Sequence, residues 1–240
     1  MSAVAPVGIL GARSPVGRAL LLQLAESGRP ARAYTRATPP PDAGPVAWRR
    51  LALPRPAERP APLPHWICLA PVWTLEEWLP LLAASGAERV VALSSTSVLT
   101  KADSPDSAER DTVRRLLQGE AALRTWADGQ GIGWTILRPT MIYGHGDKNI
   151  QVIARFIDRF GFFPLVSPGT GLRQPVHAED VAAACLAALG ADAARGRTYT
   201  LGGAEVLTYR EMVARVFQAA HRRPRFAMVP PWAVAAVLRL

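Results

Sequence analysis

Apolar residues along this chain come in short runs divided by turn signals, and the runs switch between strand and helix spacing. Val4 to Leu10 is a continuous apolar run that stops at a glycine-rich turn. Arg18 to Ser27 repeats leucine at helical spacing, and Gly28 follows where a C-cap glycine belongs. Further strands are predicted over Ala31 to Thr35, His65 to Ala70, Arg89 to Leu93, Gly133 to Ile142 and Tyr199 to Leu201. Helical patterns fall between them over Leu75 to Ala84, Ser107 to Ala127, Ile150 to Phe160 and Asp180 to Leu189. A last helix, Tyr209 to Ala220, is capped by Thr208. This alternation predicts an α/β fold with a doubly wound parallel sheet. The whole of 1–240 reads as a single Rossmann domain, and the part after about residue 145 contributes to a small C-terminal lobe.

Two stretches break the pattern. Residues 37–64 carry Pro39, Pro40, Pro41, Pro54, Pro56, Pro60, Pro62 and Pro64, a density that forbids a regular helix. Val46 to Leu51 is a brief strand inside a crossover that is otherwise shortened. The tail from Pro231 to Leu238 is apolar but falls short of the roughly 18–20 residues that cross a bilayer, and it reads as a packed helix. No transmembrane segment and no leader peptide is expected.

Composition changes this picture little. The 240 residues are 49% hydrophobic and 20% charged, as suits one globular domain. A net charge of +9 raises the question of nucleic acid, but the cations are almost all arginine and are spread along the chain without a reader motif. Specific nucleic-acid binding is therefore not expected. Cys68 and Cys185 sit alone in apolar runs, as buried thiols do in a reducing cytoplasm, and the histidines show no metal-ligand spacing. No metal site is expected.

The chemistry-bearing motif is Gly11-Ala12-Arg13-Ser14-Pro15-Val16-Gly17, set between the first strand and the first helix. A pyrophosphate needs backbone N–H groups at a helix N-terminus with no side chain in the way. Gly11 permits the tight turn, and Gly17 lets the helix lie close to the sheet. Ser14 replaces the usual second glycine; it serves as N-cap, with Pro15 at the first helical position, and either its Cβ holds the phosphate slightly farther off or its hydroxyl donates to a phosphate oxygen. The second strand ends at Tyr34-Thr35-Arg36 with no acid before Asp42. An acid there selects NAD(H), whereas arginine accepts the additional phosphate of NADP(H). Arg13 and Arg36 together favour NADP(H) over NAD(H); the bland alternative is two surface arginines in an arginine-rich chain.

Several segments together resemble the short-chain dehydrogenase/reductase superfamily, in its extended or atypical branch of NAD-dependent epimerase/dehydratase-like proteins. The turn at 11–17 stands at the family's GxxGxxG. Val90-Val91-Ala92-Leu93-Ser94-Ser95-Thr96 resembles the strand bearing the catalytic Ser/Thr, and Thr96 matches that position. Trp134 to Gly144 resembles the strand and loop beside the nicotinamide, and Pro175 to Ala182 the segment returning to the sheet. The arrangement is especially similar to the atypical group that contains the Rossmann-fold accessory subunit of respiratory complex I. The resemblance implies cofactor contacts from Gly11, Arg13, Ser14, Pro15, Val16, Gly17, Arg36, Ala70, Ser94 and Pro139. It places Thr96 and Tyr143 as candidate catalytic residues; packing in the core is the competing role for Tyr143.

The family's YxxxK pair is missing. With Glu120 aligned to the family's usual acid, Thr112 takes the tyrosine position and Leu116 the lysine position. An aliphatic hydroxyl cannot be tuned as a phenol of pKa about 10 can, and leucine supplies no charge. The expectation is a cytoplasmic cofactor-binding module with a degenerate site, acting as an accessory subunit or sensor toward an unspecified small molecule or protein partner. The alternatives are an active NADP-dependent reductase or epimerase, on a sugar nucleotide or small carbonyl substrate with a non-standard acid, and a purely structural protein.

Overall fold

The computed structural model describes residues 5–41, 44–52 and 60–230. The predicted apolar tail and the start of the first run lie outside the described residues. β1 (Val7–Leu10) is buried at every position. α1 (Pro15–Glu26) begins on Ser14 and ends at Ser27, with Gly28 following at φ +65. β2 (Ala31–Thr35) and β3 (Val46–Arg50) come next, then β4 (His65–Cys68). The helix expected over Leu75 to Ala84 is only α2 (Leu79–Ala84), preceded by two short 3-10 turns. Pro80 explains the difference: it has no N–H and its ring clashes with the carbonyl four residues back, so the helix starts beside it.

β5 (Arg89–Leu93) leads through the single-turn α3 (Ser97–Thr100) to α4 (Ser107–Gln130), which runs one turn further than its sequence pattern and stops on left-handed Gly131. The strand expected over Gly133 to Ile142 is two strands, β6 (Gly133–Pro139) and β7 (Met141–Tyr143). α5 (Ile150–Phe160), β8 (Phe163–Val166), β9 (Leu172–Arg173) and β10 (Pro175–His177) follow. α6 (Ala178–Gly190) and β11 (Arg197–Leu201) precede β12 (Leu207–Thr208), α7 (Tyr209–Ala219) and β13 (Phe226–Val229).

The described chain divides into two compact units. The larger ends at Pro139 and resumes over Ala178–Leu201; the smaller takes Thr140–His177 and continues from Gly202. In the larger unit seven strands form one sheet in the order β11-β6-β5-β4-β1-β2-β3, every neighbouring pair parallel. Helices cover both faces, which is why β1, β4 beyond His65 and β5 beyond Arg89 read as apolar runs. α1 packs on α6 on one side. On the other, α2 and α4 close over Leu10, Trp66, Cys68, Val90, Ala92 and Ile136. The order reverses at β1, between β2 and β4, so the cleft at the carboxyl ends of these strands is the switch point where such sheets bind ligands.

In the smaller unit, α5 and α7 share a core of Ile153, Ile157, Met212, Val213, Val216 and Phe217. Thr208 and Glu211 form a reciprocal capping box at the start of α7. β7 pairs with β10, β9 with β12 and β8 with β13.

Candidate dinucleotide-binding cleft

β1 delivers the chain into the glycine turn at the switch point. Gly11 has φ +80, and a Cβ on it would fall 2.5 Å from the Ala70 nitrogen just past β4, so only glycine lets the turn approach that backbone. Gly17 is equally constrained, though by a different neighbour from the one expected. Its Cβ would lie 2.5 Å from the carbonyl carbon and oxygen of Ala12, so the glycine makes room for the turn itself rather than for the sheet. Ser14 caps α1: its Oγ accepts a hydrogen bond from Gly17 N (3.0 Å). One first-turn donor is thereby spent on the serine, while the serine keeps its own proton to offer outward. Pro15 and the buried Val16 complete the first turn.

A 210 Å³ cavity opens beside this turn, with Gly11, Ala12, Arg13, Thr35, Arg36, Ala70 and Trp78 in its lining. Arg13 and Arg36 are both exposed at its mouth. Arg13 also lines a neighbouring 310 Å³ depression with Arg18, Thr38 and Trp48. The first cavity is smaller than the roughly 300–1,000 Å³ that encloses a whole drug-sized ligand, which suits one end of a dinucleotide rather than all of it. Tyr34 forms part of its wall; burial raises the phenol pKa, against the lowering effect of Arg32, so the ring remains neutral. Four of the expected cofactor residues, Gly11, Arg13, Arg36 and Ala70, thus meet around one opening.

Ser94, Thr96 and Pro139 meet at the carboxyl ends of β5 and β6. Thr96 N and Thr96 Oγ1 both donate to the Pro139 carbonyl, at 3.1 and 3.3 Å. The hydroxyl expected to act in chemistry is therefore tied to the backbone. Nearby lies a pair that the sequence reading did not single out. Glu120 of α4 is 0% exposed and takes a two-pronged contact from Arg138 of β6, Nε to Oε1 at 2.8 Å and Nη2 to Oε2 at 2.6 Å. Arg124 adds a third bond at 3.2 Å. Burial pushes the Glu120 pKa up, but the hydrogen bonds from Arg138 and the arginine charges outweigh it and hold the carboxyl below its ordinary range. Ser94 turns its hydroxyl toward the same carboxylate and helps to lower it, yet falls short of a full hydrogen bond, so Ser94 Oγ is buried and unpartnered. The signal was an acid on the apolar face of α4 and an arginine interrupting an apolar strand, each requiring a partner.

α4 also carries the two positions where acid/base chemistry was sought. Thr112 is exposed, and its hydroxyl donates back to the Ala108 carbonyl at 2.9 Å. Leu116 is 4% exposed and belongs to the apolar core under α4. Tyr143 lies in the smaller unit, edge-on to His177 with ring centres 5.0 Å apart. It lines a 690 Å³ cavity between α5 and α7 whose walls include Ile150, Ala154, Met212 and Val216, with Asp158 and a 3.0 Å Arg215–Glu205 ion pair among the polar groups. Among the described residues no cluster of potential metal ligands occurs.

A parallel sheet in this order, with a glycine turn at the end of β1 and a capped helix behind it, defines a Rossmann-type dinucleotide-binding protein. Residues 77–202, just over half of the chain, match the model of the NAD dependent epimerase/dehydratase family, and the chain belongs to that family. Its cofactor class is accordingly a nicotinamide dinucleotide. The chain is 38% identical over 97 residues to the mitochondrial NADH dehydrogenase [ubiquinone] 1 alpha subcomplex subunit 9 of Arabidopsis thaliana, covering 40% of this chain and 24% of that one. It is 31% identical over 150 residues to the (4-alkanoyl-5-oxo-2,5-dihydrofuran-3-yl)methyl phosphate reductase of Streptomyces griseus, covering 60% of this chain and 46% of that one. It therefore spans less than half the length of these curated relatives. The fold is shared with the UDP-glucose 4-epimerase of Thermus thermophilus, solved with NAD, at a TM-score of 0.70 and 19% identity over 94% of this chain and 86% of that one.

Proposed function

We propose that this protein is an NADP(H)-binding module of the epimerase/dehydratase family whose acid/base site is degenerate, working in the cytoplasm as a sensor or accessory component. The observation that carries the reading is α4, where the expected tyrosine position holds an exposed threonine bonded to its own helix and the expected lysine position holds a core leucine. Neither moves a proton at neutral pH. A nicotinamide dinucleotide, when bound, would offer a hydride at its nicotinamide ring. The chain's own residues bind and orient it: the Ser14 hydroxyl and the start of α1 toward the pyrophosphate, Arg13 and Arg36 toward the additional phosphate, Ser94 and Pro139 toward the nicotinamide end. The place of both residues at the carboxyl ends of adjacent central strands, where such sheets bind ligands, supports that last assignment. The smaller unit serves as the substrate or partner lobe.

A second reading, an active reductase or epimerase, is favoured by one observation: Tyr143 borders a cavity of ligand size. NADPH consumption over a panel of carbonyl compounds separates the two. The module reading expects turnover at or near background. Robust turnover that survives Thr112→Ala contradicts it, and loss of that turnover in Tyr143→Phe would identify the acid.

A further inference from the structure

α5 is apolar around more of its circumference than its own core requires. Ile153 and Ile157 fill the core of the smaller unit. On another side Val152, Phe156 and Phe160 repeat every fourth residue, which sets them in one stripe along the helix. Val152 is 52% exposed and Phe160 51%, while Phe162, just beyond the helix, is 39% exposed. The rings of Phe156, Phe160 and Phe162 touch one another, with centroids 4.6 to 6.4 Å apart, so the exposed surface is one continuous aromatic patch. Arg155 and Arg159 form the adjoining stripe. Arg159 lies over the Phe160 ring at 5.4 Å, and neither arginine meets a carboxylate among the described residues.

Charge points the same way. The cations are spread evenly along the sequence, but the acids are not: the segments of the smaller unit carry ten Lys and Arg against four Asp and Glu, so +6 of the net +9 belongs to about a third of the chain. We propose that the aromatic stripe of α5 docks this protein on an anionic phospholipid surface, with Val152, Phe156, Phe160 and Phe162 entering the headgroup–acyl boundary and Arg155 and Arg159 holding lipid phosphates. An amphipathic helix with aromatics on one face and arginines on its polar flank is the physical pattern of a segment that lies in the interface. No described helix is long and apolar enough to cross a membrane, so the contact is with the surface. Nucleic acid fits less well: the rings pack on one another, Phe156 edge-on to Phe162 at 90° and tilted at 44° to Phe160, rather than standing as a row of parallel open faces for bases to stack on. A second copy of the chain would bring two cationic patches together.

The test is co-sedimentation of the full chain with vesicles of phosphatidylcholine alone and of phosphatidylcholine containing about a quarter phosphatidylglycerol. The wild type is expected to partition to the anionic vesicles and to weaken as salt rises. The double change Phe160→Ser with Phe162→Ser should lower partitioning at least about tenfold. Arg155→Gln with Arg159→Gln should lower it roughly fivefold per arginine. Amide exchange of the wild type reads the same surface without mutation, and vesicles should slow it over 150–166. Absence of binding, equal binding to neutral and anionic vesicles, or wild-type partitioning of the phenylalanine variant overturns the proposal. So does a dimer, or binding of single-stranded RNA, that the same phenylalanine changes abolish.

Discussion

Glu120 and Arg138 place a full ion pair inside the larger unit, and the cost of desolvating both is offset only because the geometry is two-pronged and a second arginine contributes. Removing one partner leaves the other buried and uncompensated. Glu120→Gln is expected to destabilise the protein by about 3 kcal/mol, read from denaturant melts. The pair also fixes a pH dependence. The folded-state pKa of Glu120 lies below its unfolded value, so its contribution is fully present above the ordinary glutamate range of about 4.3. It is lost as pH falls through the lower folded value, and Glu120→Gln should flatten the acid limb of the stability curve. At the glycine turn, Gly17→Val sets a branched side chain against the Ala12 carbonyl and should cost about 1–3 kcal/mol with loss of cofactor binding. A variant with wild-type melting and affinity would contradict that. The turn residues were legible in the sequence because glycine, serine and proline at those spacings have local conformational meanings. The Gly17 neighbour was not, because its reason is a backbone contact inside the turn. The Glu120–Arg138 pair was half legible: each charge stood out on an apolar face, but no periodicity says which two will meet.

At the scale of elements, α4 decides the chemistry. Thr112 and Leu116 are one turn apart, yet one is exposed and the other packs in the core. Rebuilding the pair is therefore asymmetric. Thr112→Tyr should change stability by less than about 0.5 kcal/mol, whereas Leu116→Lys places an ammonium among apolar side chains and should cost about 3 kcal/mol unless cofactor binding compensates it. Melts of the two single variants with and without NADPH check this. The segment Trp134 to Tyr143 shows where pattern reading stops. Its apolar run is continuous, but β6 belongs to the seven-stranded sheet and β7 pairs with β10, and strand periodicity records only alternation of faces, never the identity of the partner. Local signals did better at ends: Ser14, Thr208 and Gly28 all act where their chemistry places them, although the end of α4 on Gly131 was not foreseen.

For the whole molecule, the alternating pattern was enough to give a doubly wound parallel sheet, because alternating strands and helices lead to parallel crossovers; the order of its strands was not read from the sequence. What the alternation alone did not convey is that the chain passes into the smaller unit at Thr140, returns to the larger at Ala178 and leaves it again at Gly202. The account rests on the larger unit as a receptor for a phosphorylated dinucleotide, so the most direct measurement is paired calorimetric titration of the wild type and Arg36→Asp with NADPH and NADH. The account predicts that the wild type binds NADPH at least about tenfold more tightly than NADH, as charge-assisted contacts to one added phosphate warrant, and that Arg36→Asp erases or reverses the preference. Equal affinities in the wild type, or an unchanged preference in Arg36→Asp, would contradict it.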